Sequence, residues 1–166
     1  TNLGNSWSKI FTYVPNSGLP ALGLINTRTF STLDFDRDGN LDVFIAAWFK
    51  DYTNNLWDHA YLLKGNGDGT FTDITTSSGI GSVTEPMYCS ASTDWNNDCY
   101  PDIFTGPYCR TGGKVFKNNG NNTFTNVAIN VGYNLYKTGD GQPACTFSVI
   151  PDDYDNDGDM DMFFSV

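Results

Sequence analysis

Acidic side chains recur in this chain at a spacing that suits a hard metal ion. Asp34, Asp36, Asp38 and Asp42 hold the first, third, fifth and ninth places of one nine-residue stretch. Asp94, Asn96, Asp98 and Asp102 hold the same places in a second, and Asp153, Asp155, Asp157 and Asp161 in a third. The first residues of the three stretches lie 60 and then 59 positions apart. Ca2+ takes about six to eight oxygens at roughly 2.3–2.6 Å, and a short loop with donors at alternate places can wrap them round one point. The seventh place, held by Asn40, Tyr100 and Asp159, can add a main-chain carbonyl, which needs no particular side chain. Gly39 and Gly158 stand at the sixth place, where a sharp turn favours a left-handed backbone. Cys99 takes that place in the second stretch, at a cost of about 1 kcal/mol and with weaker binding expected there.

Two other readings of these stretches compete. An EF-hand opens in the same way but needs an acid at its twelfth position and a helix on each side. The twelfth residues here are Ile45, Thr105 and Phe164, and the flanks read as strands. Asp and Asn also form turns without any metal. Three registered copies, each crowding several carboxylates together, would repel without a cation, which favours three Ca2+ sites.

The charge balance agrees. The formal charge is −10, and twelve of the nineteen acids lie in the three stretches. The seven others face nine Lys and Arg, so the acidity is local to the loops and does not mark a surface that steers basic partners. No basic patch suggests nucleic acid. No apolar run approaches the ~20 residues of a membrane span.

The elements that must position these loops are strands. Aromatics make up 15% of the chain, glycines number 17, and Glu appears once, at Glu85. Such a mixture suits short strands and tight turns rather than helix. One complete unit is expected over residues 28–84. Its strands are Thr29–Leu33, Val43–Trp48, Ala60–Lys64 and Thr70–Ile74, with a longer connection over Phe49–His59 and a glycine turn over Gly65–Gly69. A second unit is expected over 86–134, with strands Tyr88–Thr93, Ile103–Gly106, Lys114–Lys117 and Thr123–Val127. A third starts near Cys145 and runs to Val166 with two strands. Residues 1–20 read as the tail of a preceding unit, with a strand at Ile10–Val14. The chain begins at Thr1 rather than Met, which fits a removed leader or a piece of something longer. A four-strand unit repeating about every 60 residues predicts an all-β fold of β-propeller blades, two complete and two incomplete, within a single propeller segment.

The pattern Asp-x-Asp-x-Asp-Gly-x-x-Asp followed by Gly-Asn-Gly-Asp-Gly-Thr-Phe-Thr-Asp resembles the FG-GAP/VCBS repeats. Those repeats build the calcium-bearing propellers of integrin α-subunits and of many secreted bacterial and algal proteins. The resemblance covers nearly the whole chain. It implies side-chain ligands at the first, third, fifth and ninth places of each loop, with main-chain oxygens of Asn40, Tyr100 and Asp159 completing them. Cys99 departs from the family's glycine.

Four cysteines, Cys89, Cys99, Cys109 and Cys145, allow three complete pairings, and no Cys-x-x-Cys spacing points to zinc. Hairpin geometry around the second loop favours Cys89 with Cys109 and leaves Cys99 free. Four unpaired buried thiols are the competing state. Asn121-Asn122-Thr123 is a glycosylation sequon in an expected turn. Calcium loops and disulfides together suit an extracellular or cell-surface setting.

The functional expectation is a non-catalytic scaffold or adhesion module that meets protein partners, other copies of itself among them. Trp48, Phe49, Tyr52, Trp57 and His59 form a candidate contact patch, against the alternative that the tryptophans pack between blades. The same aromatic residues are the only support for a carbohydrate-binding propeller. A polysaccharide-active enzyme is disfavoured, because His59 has no identifiable catalytic partner and the carboxylates are absorbed as metal ligands.

Overall fold

The computed structural model describes residues 27–54, 56–109, 111–133 and 144–165. The expected strand at Ile10–Val14 and the unit tail over 1–20 lie outside the described residues.

The strands form because β-branched and aromatic residues alternate between Gly- and Asn-rich turns. β1 (Thr27–Leu33) and β2 (Asp42–Ala47) flank the first acidic loop and pair antiparallel, Leu33 opposite Asp42. A side hairpin follows, β3 (Phe49–Asp51) with β4 (Leu56–Trp57). β5 (Tyr61–Gly65) pairs with β2, and β6 (Phe71–Asp73) with β5, giving the order β1-β2-β5-β6. The second unit repeats the plan with β7 (Met87–Thr93), β8 (Asp102–Pro107), β9 (Lys114–Asn118) and β10 (Phe124–Asn126). The third contributes β11 (Ser148–Asp152) and β12 (Asp161–Ser165), paired round the third loop. The expected four-stranded antiparallel blades are therefore present, and no α-helix occurs among the described residues. The β3–β4 hairpin lies within the longer connection expected over Phe49–His59 and was not foreseen there; its strands are too short to show an alternation.

Blades stack face to face. The front of the first, with Leu33, Phe44, Ala46 and Leu62, meets the back of the second, with Ile103, Phe116 and Phe124. Phe44 and Phe116 lie 6.1 Å apart, and Phe35 meets Phe124 edge-on at 6.1 Å. A fully buried phenylalanine contributes roughly 2–3 kcal/mol, so this layer is a main source of stability. Phe104, Val115 and Tyr133 of the second blade likewise meet Val149, Met162 and Phe164 of the third. Polar links run along the inner strands. Ser31 Oγ and Ser90 Oγ lie 2.7 Å apart, and Ser92 Oγ donates to Thr32 O at 3.0 Å.

The disulfide joins Cys109 to Cys145, which corrects the expected Cys89–Cys109 pair. Cys89 lies opposite Gly106 in the ladder, and its Sγ fills the space over that glycine, where a Cβ would come within 2.3 Å of it. The thiol donates to Thr146 O at 3.5 Å. Cys109 lies just past β8 with a φ of 31°, beside the segment in which Thr146 N donates to Pro107 O at 3.2 Å. The bridge thus ties the second blade to the start of the third. Cys99 is free and exposed, and Cys89 is free and buried.

Candidate metal centre

The three loops share one backbone design. The first-place carboxylate accepts two main-chain N–H groups across the turn. For Asp34 these come from Asp38 and Gly39 at 3.1 and 3.0 Å. For Asp94 they come from Asp98 and Cys99 at 3.1 and 2.7 Å, and for Asp153 from Asp157 and Gly158 at 3.0 and 3.0 Å. The fifth-place carboxylate accepts from the seventh residue: Asn40 N to Asp38 at 2.8 Å, Tyr100 N to Asp98 at 3.0 Å, Asp159 N to Asp157 at 2.9 Å. The sixth place is left-handed throughout, with φ of 85° at Gly39, 68° at Cys99 and 94° at Gly158. The fourth place is left-handed too, at Arg37, Asn97 and Asn156, which the sequence reading did not anticipate. Asn tolerates that conformation, so two of these three residues carried a local signal.

Side-chain oxygens of Asp34, Asp36 and Asp42 lie within 4.8 Å of one another, as do those of Asp153, Asp155 and Asp161. Two ligands on opposite sides of a Ca2+ ion stand at about that separation. In the second loop the third place is Asn96, whose Oδ1 accepts from Asp98 N at 3.0 Å, so only an amide can complete the set there.

The ninth-place aspartates of the two complete blades are fully buried. Asp42 accepts from Phe35 N at 2.9 Å and Gly65 N at 2.8 Å; Asp102 accepts from Asn118 N at 2.7 Å. Burial pushes both carboxyls up to about 6 in spite of these donors. Asp102 Oδ2 and Asp36 Oδ1 are buried with no hydrogen-bond partner. An orphaned carboxylate oxygen is costly, and a cation would satisfy it. The donor sets therefore fit Ca2+: all oxygen, largely anionic, with one buried oxygen lacking a hydrogen-bond partner in each of the first two loops.

The fifth-place aspartates are not among the grouped oxygens. Asp38 pairs with Lys64 at 2.7 Å, and Lys64 also contacts Asp36. Asp98 pairs with Lys117 at 2.6 Å. These ammonium groups are the first cause holding both carboxyls below the usual range. Lys64 and Lys117 are partners of the loop carboxylates that the sequence reading missed. Their signal was available: each precedes the Gly/Asn turn, in Leu62-Leu63-Lys64-Gly65 and Val115-Phe116-Lys117-Asn118. The loops also touch one another. Asn97 Nδ2 donates to Asp159 at 3.3 Å, and the Arg37 guanidinium lies 5.4 Å from the Tyr100 ring centre.

The aromatic patch does not form as one surface. Phe49 is buried. Trp48 packs against Tyr88 and Tyr108 of the next blade at 5.7 and 5.2 Å, with the Arg28 guanidinium 3.3 Å over its ring. Of the five residues, Tyr52 is the strongly exposed one. His59 donates from Nδ1 to Ala60 O at 2.8 Å and rests on Tyr61.

Compared with known proteins, the chain matches the FG-GAP-like repeat over residues 34–105 and again over 94–164, well over half its length. Over 115 residues it is 30% identical to Cartilage acidic protein 1 of Xenopus tropicalis. That similarity takes in 63% of this chain but 15% of the relative, so the chain spans a small part of that protein's length.

Proposed function

The chain belongs to the FG-GAP-like repeat family, and from that premise we propose that it is a non-catalytic, extracellular protein-interaction module whose blades are held by Ca2+ in the three acidic loops. The observation that carries the reading is the buried, partnerless oxygen of Asp36 inside the Asp34–Asp36–Asp42 group. Asp34, Asp36 and Asp42 hold the first ion, Asp94, Asn96 and Asp102 the second, and Asp153, Asp155 and Asp161 the third. Asp38 and Asp98 contribute where the strand lysine yields, Asp157 contributes directly, and the seventh-place carbonyls of Asn40, Tyr100 and Asp159 complete the shells. The ion neutralises carboxylates that otherwise repel, and so fixes the turn between the first two strands of each blade. The Cys109–Cys145 bridge supports an oxidising, extracellular setting.

The test is calorimetric titration of chelator-stripped protein with Ca2+, alongside thermal melts with and without the ion. Saturable binding and a raised Tm are expected. No heat and no shift in fully stripped protein would overturn the metal role.

A further inference from the structure

One turn is built twice in this chain, and the two copies offer different chemistry. Residues 66–70 join β5 to β6, and residues 119–123 join β9 to β10. In each, the first residue's N–H donates to the fifth residue's carbonyl at 3.0 Å. The first residue's side-chain amide donates to the fifth residue's hydroxyl, Asn66 to Thr70 at 2.8 Å and Asn119 to Thr123 at 2.9 Å. The second and fourth places are left-handed in both, with φ of 79° and 86° at Gly67 and Gly69 and of 70° and 65° at Gly120 and Asn122. The third residue's Oδ1 accepts twice from the threonine. Asp68 receives Thr70 N at 2.9 Å and Thr70 Oγ1 at 2.6 Å, and Asn121 receives Thr123 N at 3.2 Å and Thr123 Oγ1 at 2.6 Å.

The turn needs only an acceptor oxygen at its third place, which Asp and Asn supply equally well. Asn121 carries an amide nitrogen besides. It also stands in Asn121-Asn122-Thr123, the one Asn-x-Ser/Thr triplet of the chain, with no proline in the middle. Thr123 ties down Oδ1, while Nδ2 donates no hydrogen bond to any described residue. Asn121 and Asn122 are exposed. The turn itself is anchored, because Asn118, just before it, is buried and donates from Nδ2 to Phe35 O of the first blade at 2.9 Å. A group attached at Asn121 Nδ2 therefore reaches solvent from a fixed base and breaks no hydrogen bond of the fold.

We propose that Asn121 is the acceptor of an N-linked glycan. Its amide nitrogen loses a proton and bonds to the anomeric carbon of an oligosaccharide carried on a lipid pyrophosphate. The bond from that carbon to the pyrophosphate oxygen breaks, and the lipid pyrophosphate leaves with the electron pair. A transferase of the secretory route performs the step. The inference rests on the extracellular setting of the proposed function, which the Cys109–Cys145 bridge supports, and does not need the calcium assignment. The glycan stands beside the second acidic loop, because Tyr100 lies against this turn: a Cβ on Gly120 would come within 3.0 Å of its ring. A bulky hydrated chain at that place keeps protein partners off the second loop.

The test expresses residues 1–166 behind a cleavable secretion signal in a eukaryotic cell. Secreted and cell-retained protein are both read by mass spectrometry, before and after peptide N-glycosidase. Expected is one N-glycan, mapped to Asn121, lost in Asn121→Gln and Thr123→Ala and kept in Thr123→Ser. Asp68→Asn should add a second glycan, because it completes the triplet with Thr70 in a turn of the same geometry. Asn121 left unmodified in both pools would overturn the proposal, and so would a glycan that survives Asn121→Gln. The two readings fail separately. Protein with Cys109 and Cys145 bridged but Asn121 bare overturns the acceptor site and leaves the extracellular setting standing. Protein glycosylated at Asn121 whose cysteines stay reduced removes the bridge as support for that setting and keeps the acceptor site.

Discussion

The first and third acidic loops are nearly the same peptide in two different settings. Both begin with an aspartate that accepts two N–H groups, and both turn through left-handed fourth and sixth residues. Asp42 is nevertheless fully buried while Asp161 is exposed, and Phe35 is buried while Tyr154 in the same place is 52% exposed. The difference comes from β5, which lays Gly65 N on Asp42 and Lys64 on Asp36 and Asp38. The loop sequence thus specifies the turn, and the third strand of the blade specifies its burial, charge balance and cost of being empty.

Substitution at the ninth place should give the widest separation between the two loops. Asp42→Ala strands two buried N–H donors, at about 1–3 kcal/mol each, so a loss of about 4 kcal/mol is expected in urea melts. Asp161→Ala should cost about 1 kcal/mol or less, and equal losses would break the comparison. The Cys109→Ser/Cys145→Ser pair should cost about 4 kcal/mol from loop closure alone, read as a lower denaturation midpoint. Its amide exchange should rise more in β11 and β12 than in β1 and β2, because the bridge anchors the third unit.

Acidity separates the loops in a second way. The folded carboxyls of Asp42 and Asp102 are raised from 3.8 to about 6, so the metal-free native state binds protons more tightly than the unfolded chain. Their contribution is therefore fully present below 3.8 and lost as pH rises through about 6. Stripped protein should gain about 2 kcal/mol on acidification from neutrality to pH ~5, measured by denaturation at each pH. Bound Ca2+ requires the carboxylates and should erase the gain, and Asp42→Asn with Asp102→Asn should flatten the profile.

Lys64→Met tests what the strand lysine does. Partly exposed ion pairs contribute about 1 kcal/mol or less, so the metal-free protein should lose at most that much. Asp36 and Asp38 are then freed, and Ca2+ should bind the first loop a few-fold more tightly by calorimetry, with the third loop unchanged. The smallest effect is expected from Cys99→Gly, which relieves a left-handed cysteine and should stabilise the second loop by about 0.5–1 kcal/mol in the same melts.

Much of this was legible in the sequence, for physical reasons. Period-two alternation and Gly/Asn turns are local signals, so the blade strands were found with small boundary shifts, and the nine-residue loops announced their own repeat. What was missed depends on contacts across blades or across the ladder. Cys89 was assigned to Cys109 by hairpin proximity, but Gly106 gives its thiol a seat and Cys145 arrives from the next unit. Trp48 was read either as part of a contact patch or as packing between blades, and the partners that decide for packing, Tyr88 and Tyr108, are both distant in sequence. Lys64 reaches a loop 28 residues upstream, a pairing that no short window displays.

The hydroxyl contacts of the inner strands set a shape as well as a seam. Ser31, Ser90 and Ser92 hold neighbouring sheets close on one side, while Phe35, Phe44, Phe116 and Phe124 prop them apart on the other. A stack that is thin along one margin and thick along the other must fan. Residue volume, rather than linker length, therefore fixes the arc through which each sheet turns past the last, and a leucine at Ser31 would straighten it.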